Sequence, residues 1–253
     1  MKPILFSFGR VNIYSWGVAF SVAFLIALWL AMRAAKRRGL SEERLFDLVI
    51  IAAVAGLIGA RVLYVALAWS YYAGDVVGML SFWEGGLSFY GGLIGALLAG
   101  WIYCRATGFS FWEAADALAA PLALAYAIVR VGCFFNGCCY GRETTLPIGV
   151  HFPGLEGARH PTQLYSSAAG LAIFALLKWA ERRQLFTGQL FLEFLTYYSA
   201  YRFIVEFWRV GEPFWGPFDM TQPVALLGAL VFGAVTLVLA REARKSARTG
   251  AAP

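Results

Sequence analysis

Seven apolar runs separated by polar junctions organise the chain, at roughly 12–32, 46–68, 86–104, 114–134, 164–180, 187–208 and 222–240. Several reach the ~20 residues that a helix needs to cross a ~30 Å hydrocarbon core. The fifth run is short, and the sixth is interrupted by charge. No Pro/Ser linker, low-complexity tract or internal repeat breaks the pattern. It therefore predicts a single domain over 1–253: an all-α, polytopic membrane protein of about seven transmembrane helices. The first run is too long for a signal-peptide core, lacks an A-x-A site and ends in a cationic cluster, so it reads as a retained helix.

Composition agrees with that reading. Of 253 residues, 60% are hydrophobic and 14% charged, against about 25% charged in a soluble domain. The net charge of +6 raises the question of nucleic acid, and the placement of the cations answers it. Arg33, Lys36, Arg37, Arg38 and Arg44 follow the first run, Arg105 the third, Lys178, Arg182 and Arg183 the fifth, and Arg241, Arg244, Lys245 and Arg248 the seventh. These alternate junctions hold 13 of the 21 Lys and Arg residues. The alternation predicts an N-terminus outside and a cytoplasmic C-terminus. The basic balance is thus a signal of topology and of contact with anionic membrane lipids, with no role for nucleic acid.

In that orientation the loops 69–85, 138–163 and 210–221 face outward. Three arginines fall inside predicted helices: Arg61, Arg130 and Arg202. Each costs at least ~2.5–3.5 kcal/mol at the centre of a membrane, so each needs a partner or a purpose. In YSAYRFIVEFWR, Tyr198, Arg202, Glu206 and Arg209 share one helical stripe. A structural ion pair is one reading of Glu206. Two arginines for one carboxylate leave a surplus positive charge, which suits an anionic ligand. In GGLSFYGGLIGALLAG, Gly91 and Gly95 have the spacing of close helix packing, while Gly85, Gly86, Gly91 and Gly92 around Tyr90 could equally open the backbone to a ligand.

The densest chemistry lies in RVGCFFNGCCYGR at 130–142. Cys133, Cys138 and Cys139 are spaced C-x4-CC rather than as the C-x2-4-C pair of a structural zinc site, and a fourth metal ligand would have to be His151 or His160. A Cys133 bridge to Cys138 or Cys139 suits an oxidising, outward-facing compartment. Free thiols packed as small apolar residues are the third reading. Arg130, with Gly132, Asn136, Gly137, Gly141 and Arg142, adds a phosphate-binding guanidinium to a turn whose amides could face an anion. The expected pocket suits a phospholipid headgroup.

At these residues the chain resembles the prolipoprotein diacylglyceryl transferase family over nearly its whole length. GARVLY at 59–64, WEGGLSFYGGLIG at 83–95, RVGCFFNGCCYGR at 130–142, HPTQLY at 160–165 and YRFIVEFWR at 201–209 carry the resemblance, in order. It implies an enzyme of the bacterial plasma (inner) membrane that moves the diacylglyceryl group of phosphatidylglycerol onto the lipobox cysteine thiol of a prolipoprotein, next to its signal peptide. Glycerol phosphate leaves, and the reaction uses no metal and no cofactor. The resemblance further implies that Arg130 binds phosphatidylglycerol and that Arg202 is required for activity; the residue pattern adds Asn136 and Gly141 beside Arg130, and Glu206 and Arg61 in support. Many members of the family carry histidine at position 90, where this chain has Tyr90. With a pKa near ~10, tyrosine is a poor base at neutral pH. His160, the only histidine within a matched motif, then becomes the candidate base, unless it positions the HPTQLY turn. Cys133 and Cys138 also depart from residues common in the family, as does Trp16 ahead of Gly17. A related membrane transferase with another acceptor and a phospholipid-binding transporter are the competing functions. A retinal protein is disfavoured because the seventh run has no lysine for a Schiff base.

Overall fold

Each of the seven apolar runs folds as a long helix. In a computed structural model describing residues 1–8, 11–82, 85–211 and 218–249, a hairpin of β1 (Ile4–Phe8) and β2 (Val11–Tyr14) precedes α1 (Ser15–Arg38). Then come α2 (Glu42–Leu67), the short α3 (Trp69–Tyr72) and α4 (Val76–Leu80), α5 (Phe89–Thr107) and α6 (Phe111–Asn136). A two-residue ladder of β3 (Val150–His151) and β4 (Ala158–Arg159) leads to α7 (Thr162–Ala180), α8 (Gln189–Val205) and α9 (Thr221–Thr249). Trp83 and Glu84 of the 83–95 motif, and residues 212–217 of the third loop expected to face outward, lie outside the described residues.

The chain is a mostly helical membrane protein. Among the described residues, α1, α2, α6 and α9 are long and apolar enough to cross a bilayer. The remaining long helices, α5, α7 and α8, have 19, 19 and 17 residues. The all-α expectation needs one correction. The first run was expected to become helical from about residue 12, but residues 12–14 pair as a strand and the helix starts at Ser15, whose amide donates to the Pro3 carbonyl at 2.8 Å.

The chain divides into two compact units. In the unit Met32–Ala114, α2 begins at Ser41, whose hydroxyl caps the Arg44 amide at 3.2 Å, and Glu42 and Glu43 complement the positive end of the helix. It packs on α5 backbone to backbone. A Cβ on Gly95 would come within 2.5 Å of the Ala55 carbonyl oxygen and 3.3 Å of Gly59 Cα, and one on Gly91 would overlap the Gly59 carbonyl. Gly91 and Gly95 are therefore packing residues, as the small-xxx-small spacing predicted. Gly85 and Gly86 take φ of +85° and +76°, and they turn their carbonyls to Arg61.

Arg61 explains itself within this unit. It is 3% exposed. Its guanidinium donates to the carbonyls of Gly78 (2.5 Å), Met79 (3.0 Å), Gly85 (2.5 Å) and Gly86 (3.0 Å), and lies near the rings of Tyr64 and Tyr72. The purpose of this arginine is to staple the segment around α4 to α2.

The other unit comprises Met1–Ala31 and Ala115–Pro253. Ala119, Ala120 and Ala123 of α6 pack on Ile173 and Leu177 of α7 and Leu190 of α8. Gly170 of α7 lies against Ala123 and Ala127. Buried Asp116 accepts from the Gly188 amide at 2.7 Å, the Phe191 amide at 3.0 Å and Gln184 Nε2 at 2.6 Å. It thereby satisfies donors at the N-terminus of α8, which its own N-cap, Gly188, leaves without a side-chain partner.

Arg61→Ala should lower stability by about 3 kcal/mol, because it leaves several carbonyls without donors. Denaturant unfolding in detergent would measure the loss, and limited proteolysis should find new cleavage between residues 76 and 88. Unchanged stability and proteolysis would remove the stapling role.

Candidate active site

Three of the matched segments are knitted together by main-chain hydrogen bonds. The Gly141 amide donates to the His160 carbonyl at 2.8 Å, and the His160 amide returns a bond to the Arg142 carbonyl at 3.0 Å. On its other side the Arg142 amide donates to the Trp208 carbonyl at 2.7 Å, and Arg142 Nε donates to the Arg209 carbonyl at 2.8 Å. The 141–142 segment is therefore sandwiched between HPTQLY and the end of YRFIVEFWR. Only glycine fits at 141. A Cβ there would overlap the Trp208 carbonyl and lie 2.8 Å from Thr162 Cγ2 and 2.9 Å from His160 Cβ. The expectation that Gly141 offers its amide to a phosphate is corrected here, because that amide is already bonded to His160.

The HPTQLY segment locks the thiol-rich turn. Thr162 Oγ1 donates to the Cys139 carbonyl at 2.7 Å, and Gln163 Nε2 donates to the Cys138 carbonyl at 2.6 Å. Thr162 and Gln163 are both fully buried, and Gln163 Oε1 has no partner among the described residues. The sequence reading did not single out these two residues, although they lie inside a matched motif. His160 is buried too. Its Nδ1 lies 3.0 Å from the Tyr165 hydroxyl, and its ring packs near Tyr165 and Trp208. This environment accounts for a positioning role and leaves Nε2 as its other ring nitrogen.

The charged stripe on α8 forms as its spacing predicted, although the helix tightens into a 3-10 turn at Glu206–Trp208. Arg202 Nη1 is 2.8 Å from Glu206 Oε2, and Arg209 Nε is 3.2 Å from Glu206 Oε1. Glu206 is buried. Across from this stripe, the Arg130 guanidinium of α6 lies 4.9 Å from the centroid of the Tyr126 ring, at a distance typical of a cation–π contact. Tyr126 in turn meets Tyr198 edge-on at 5.3 Å, and Tyr198 sits in the joint field of Arg202, Arg130 and Arg209. No carboxylate pairs with Arg130 among the described residues. Arg202 and Arg209 thus share Glu206, whose carboxyl also hydrogen-bonds to Asp219.

Asn136 ends α6 and is half-buried. All four cysteines are free thiols, so the bridge considered for Cys133 is not formed. The Cys139 thiol is drawn well below the usual thiol range by hydrogen bonding with Cys133 and Cys138, and further by the fields of Arg130 and Arg209. Tyr90 belongs to the other unit. It stands in the first turn of α5, 68% exposed, with its ring against Phe89.

Comparison with known proteins gives the family. The family model described as prolipoprotein diacylglyceryl transferase matches residues 3–239. The chain belongs to the prolipoprotein diacylglyceryl transferase family. Its relatives include proteins named phosphatidylglycerol–prolipoprotein diacylglyceryl transferase. That of Clostridioides difficile is 35% identical over 91% of this chain and 92% of its own length. That of Geobacillus kaustophilus is 38% identical over 81% and 80%, and that of Geobacter sulfurreducens is 35% identical over 90% and 93%. In this diacylglyceryl transferase family member the segments at 130–142, 160–165 and 201–209 meet within one unit, with Arg130, Arg202, Glu206, Arg209 and His160 among them.

Gly141→Ala should cost about 1–3 kcal/mol by overpacking and should reduce activity through displacement of residues 160 and 208. Thermal unfolding together with a transfer assay would measure both effects. A variant with wild-type stability and activity would remove the close-approach argument.

Proposed function

We propose that the chain transfers the diacylglyceryl group of phosphatidylglycerol to the lipobox cysteine of prolipoproteins, the first step of bacterial lipoprotein maturation. The observation that carries this reading is that Arg130, which pairs with no carboxylate among the described residues, faces the Arg202–Glu206–Arg209 stripe across Tyr126 and Tyr198. A surplus of guanidinium groups next to apolar helices suits a lipid phosphate, which they bind in bidentate fashion while remaining weakly hydrated.

The chemistry follows from the charge. A substrate thiolate attacks the glyceryl carbon, a carbon–sulfur bond forms, and the carbon–oxygen bond to phosphate breaks. The electron pair of that bond leaves with glycerol phosphate, so a diester of charge −1 becomes a monoester approaching −2. Arg130 and Arg202 act on the charge that develops in the transition state, which raises the rate rather than merely the affinity. Glu206 holds Arg202 and Arg209 in register. The attacking thiol, with an ordinary pKa near ~8.5, must lose its proton. His160 is the candidate acceptor, and the arginine field itself favours the thiolate. Tyr90 is assigned a hydrogen-bonding role toward substrate. Asn136, at the end of α6, is assigned to the headgroup of phosphatidylglycerol.

The cation-rich helix ends support seven membrane passes with the N-terminus outside. α1 closes on Lys36, Arg37 and Arg38, and α7 on Lys178 followed by Arg182 and Arg183. In that topology the enzyme resides in the bacterial inner membrane. The 137–160 segment then lies on the outer face, where lipid of the outer leaflet and an exported signal peptide both have access.

Arg130→Ala and Arg202→Ala should each lower transfer by ~10²–10³-fold, with membrane insertion intact and partial rescue by lysine. The assay supplies a lipobox peptide and labelled phosphatidylglycerol to purified protein and reads the thioether. Wild-type rates in either variant would remove the phosphate clamp, and lipid binding without thioether formation in the wild type would favour a transporter. Tyr90→Phe should lose less than the ~10²–10⁴-fold expected of a general base, and Tyr90→His should remain active. An inactive but folded Tyr90→Phe would make Tyr90 the base.

A further inference from the structure

The transfer chemistry leaves the three cysteines at the end of α6 without a task. Their C-x4-CC spacing argued against a metal site, yet the fold brings them together. The Sγ atoms of Cys133, Cys138 and Cys139 all lie within 4.8 Å of one another. Cys138 and Cys139 are 3.6 Å apart at sulfur, well beyond a disulfide bond of ~2.05 Å. That spacing is close to the S···S edge of about 3.8 Å in a tetrahedron with metal–sulfur bonds of ~2.3 Å.

The backbone is arranged to produce this convergence. α6 stops at Asn136, Gly137 takes φ +74°, and the Cys138 amide folds back onto the Cys133 carbonyl at 3.2 Å. Cys139 is itself left-handed, at φ +63°, and is the only non-glycine residue with positive φ among the described residues. Most side chains avoid that conformation, and here it turns the third sulfur toward the other two. The buried Thr162 and Gln163 hold the carbonyls of residues 139 and 138 from behind, which fixes two sulfurs before any ligand arrives. Cys133 is buried and the other two are half-buried, so the cluster is sheltered but reachable.

We propose that Cys133, Cys138 and Cys139 form a three-sulfur site for a thiophilic d10 cation, Zn2+ or Cu+. Thiolates select these soft, closed-shell ions. Binding forms three metal–sulfur bonds and releases to solvent the protons the thiols still carry. Three thiolates on Zn2+ leave a net charge of −1, and on Cu+ a net charge of −2. Arg130 and Arg209, whose fields reach Cys139, therefore stabilise the complex although they would repel a bare cation. Zn2+ would complete its tetrahedron with one further light-atom ligand, whereas Cu+ is satisfied by three sulfurs in a plane. The site shares Arg130 with the transfer reaction proposed above, so its test reads metal and thiols rather than activity.

Full-length protein, purified in detergent and reduced, would be titrated separately with Zn2+ and with Cu+ against a competing chromophoric chelator. Metal content would be measured after gel filtration. The expected result is one equivalent of one of these ions, with sulfur scattering near ~2.3 Å in X-ray absorption. Three sulfurs plus one light atom would identify Zn2+, and three sulfurs alone Cu+. Cys133→Ser and Cys139→Ser should each lower the retained metal at least tenfold. A second measurement needs no variant: bound metal should protect Cys133, Cys138 and Cys139 of the wild-type chain from alkylation, as read by mass spectrometry. Failure of the reduced protein to retain either ion, or retention undiminished in the folded serine variants, would overturn the site. So would equal alkylation of the three cysteines with and without metal.

Discussion

The missing side chain at position 141 is the constraint on which the candidate site rests. Because Gly141 presents no Cβ, residues 141–142 can run between the main chains of 160 and 208. That contact fixes the end of α6 against the start of α7 and the end of α8, three places far apart in sequence. Arg130, His160 and the Arg202–Glu206–Arg209 stripe are each carried on one of these elements. Their common location depends on a backbone sandwich that no charged residue makes for itself. The energy involved is modest, a few hydrogen bonds of about 1 kcal/mol each, but the geometry admits no substitute.

Within that frame the polar groups have distinct tasks. Thr162 and Gln163 are buried and bond to carbonyls of the thiol turn, so they shape it without touching a ligand. Asp116 organises the opposite end of α8. Arg61 is committed to carbonyls around α4. Arg130 is different, because its contact is an aromatic face and no carboxylate pairs with it among the described residues. In an apolar environment such a charge is expensive unless a ligand completes it, and this is the physical basis for reading the site as one that receives an anion. Membership of the prolipoprotein diacylglyceryl transferase family gives that anion a chemical identity.

Much of this was legible in the sequence. Among the described residues the seven apolar runs fold as long helices, four of them long and apolar enough to cross a bilayer, since hydrophobic length in a membrane protein leaves the backbone little alternative to helix. The four-residue and three-residue spacings of Arg202, Glu206 and Arg209 translated directly into two ion pairs, because a helix converts spacing into proximity. Gly91 and Gly95 announced a close helix contact for the same reason. All of these are local or periodic properties, and a single chain displays them without its fold.

What only the tertiary structure decided concerns residues whose partners are distant or whose helix ends. The C-x4-CC spacing argued against a zinc site while the cysteines were counted along the chain, and left open a bridge from Cys133 to Cys138 or Cys139. The fold brings the three sulfurs together as free thiols because α6 stops at Asn136, and two left-handed residues turn the chain back over Cys133. Only the fold shows that the Gly141 amide is bonded to the His160 carbonyl and that the Arg61 guanidinium is bonded to four carbonyls. The hairpin of β1 and β2 displaced the expected start of the first helix because strand pairing competed successfully for residues 12–14. Sequence periodicity determined which segments are helical and which charges share a face. The fold determined which backbone groups were already bonded, and so which polar side chains remained for chemistry.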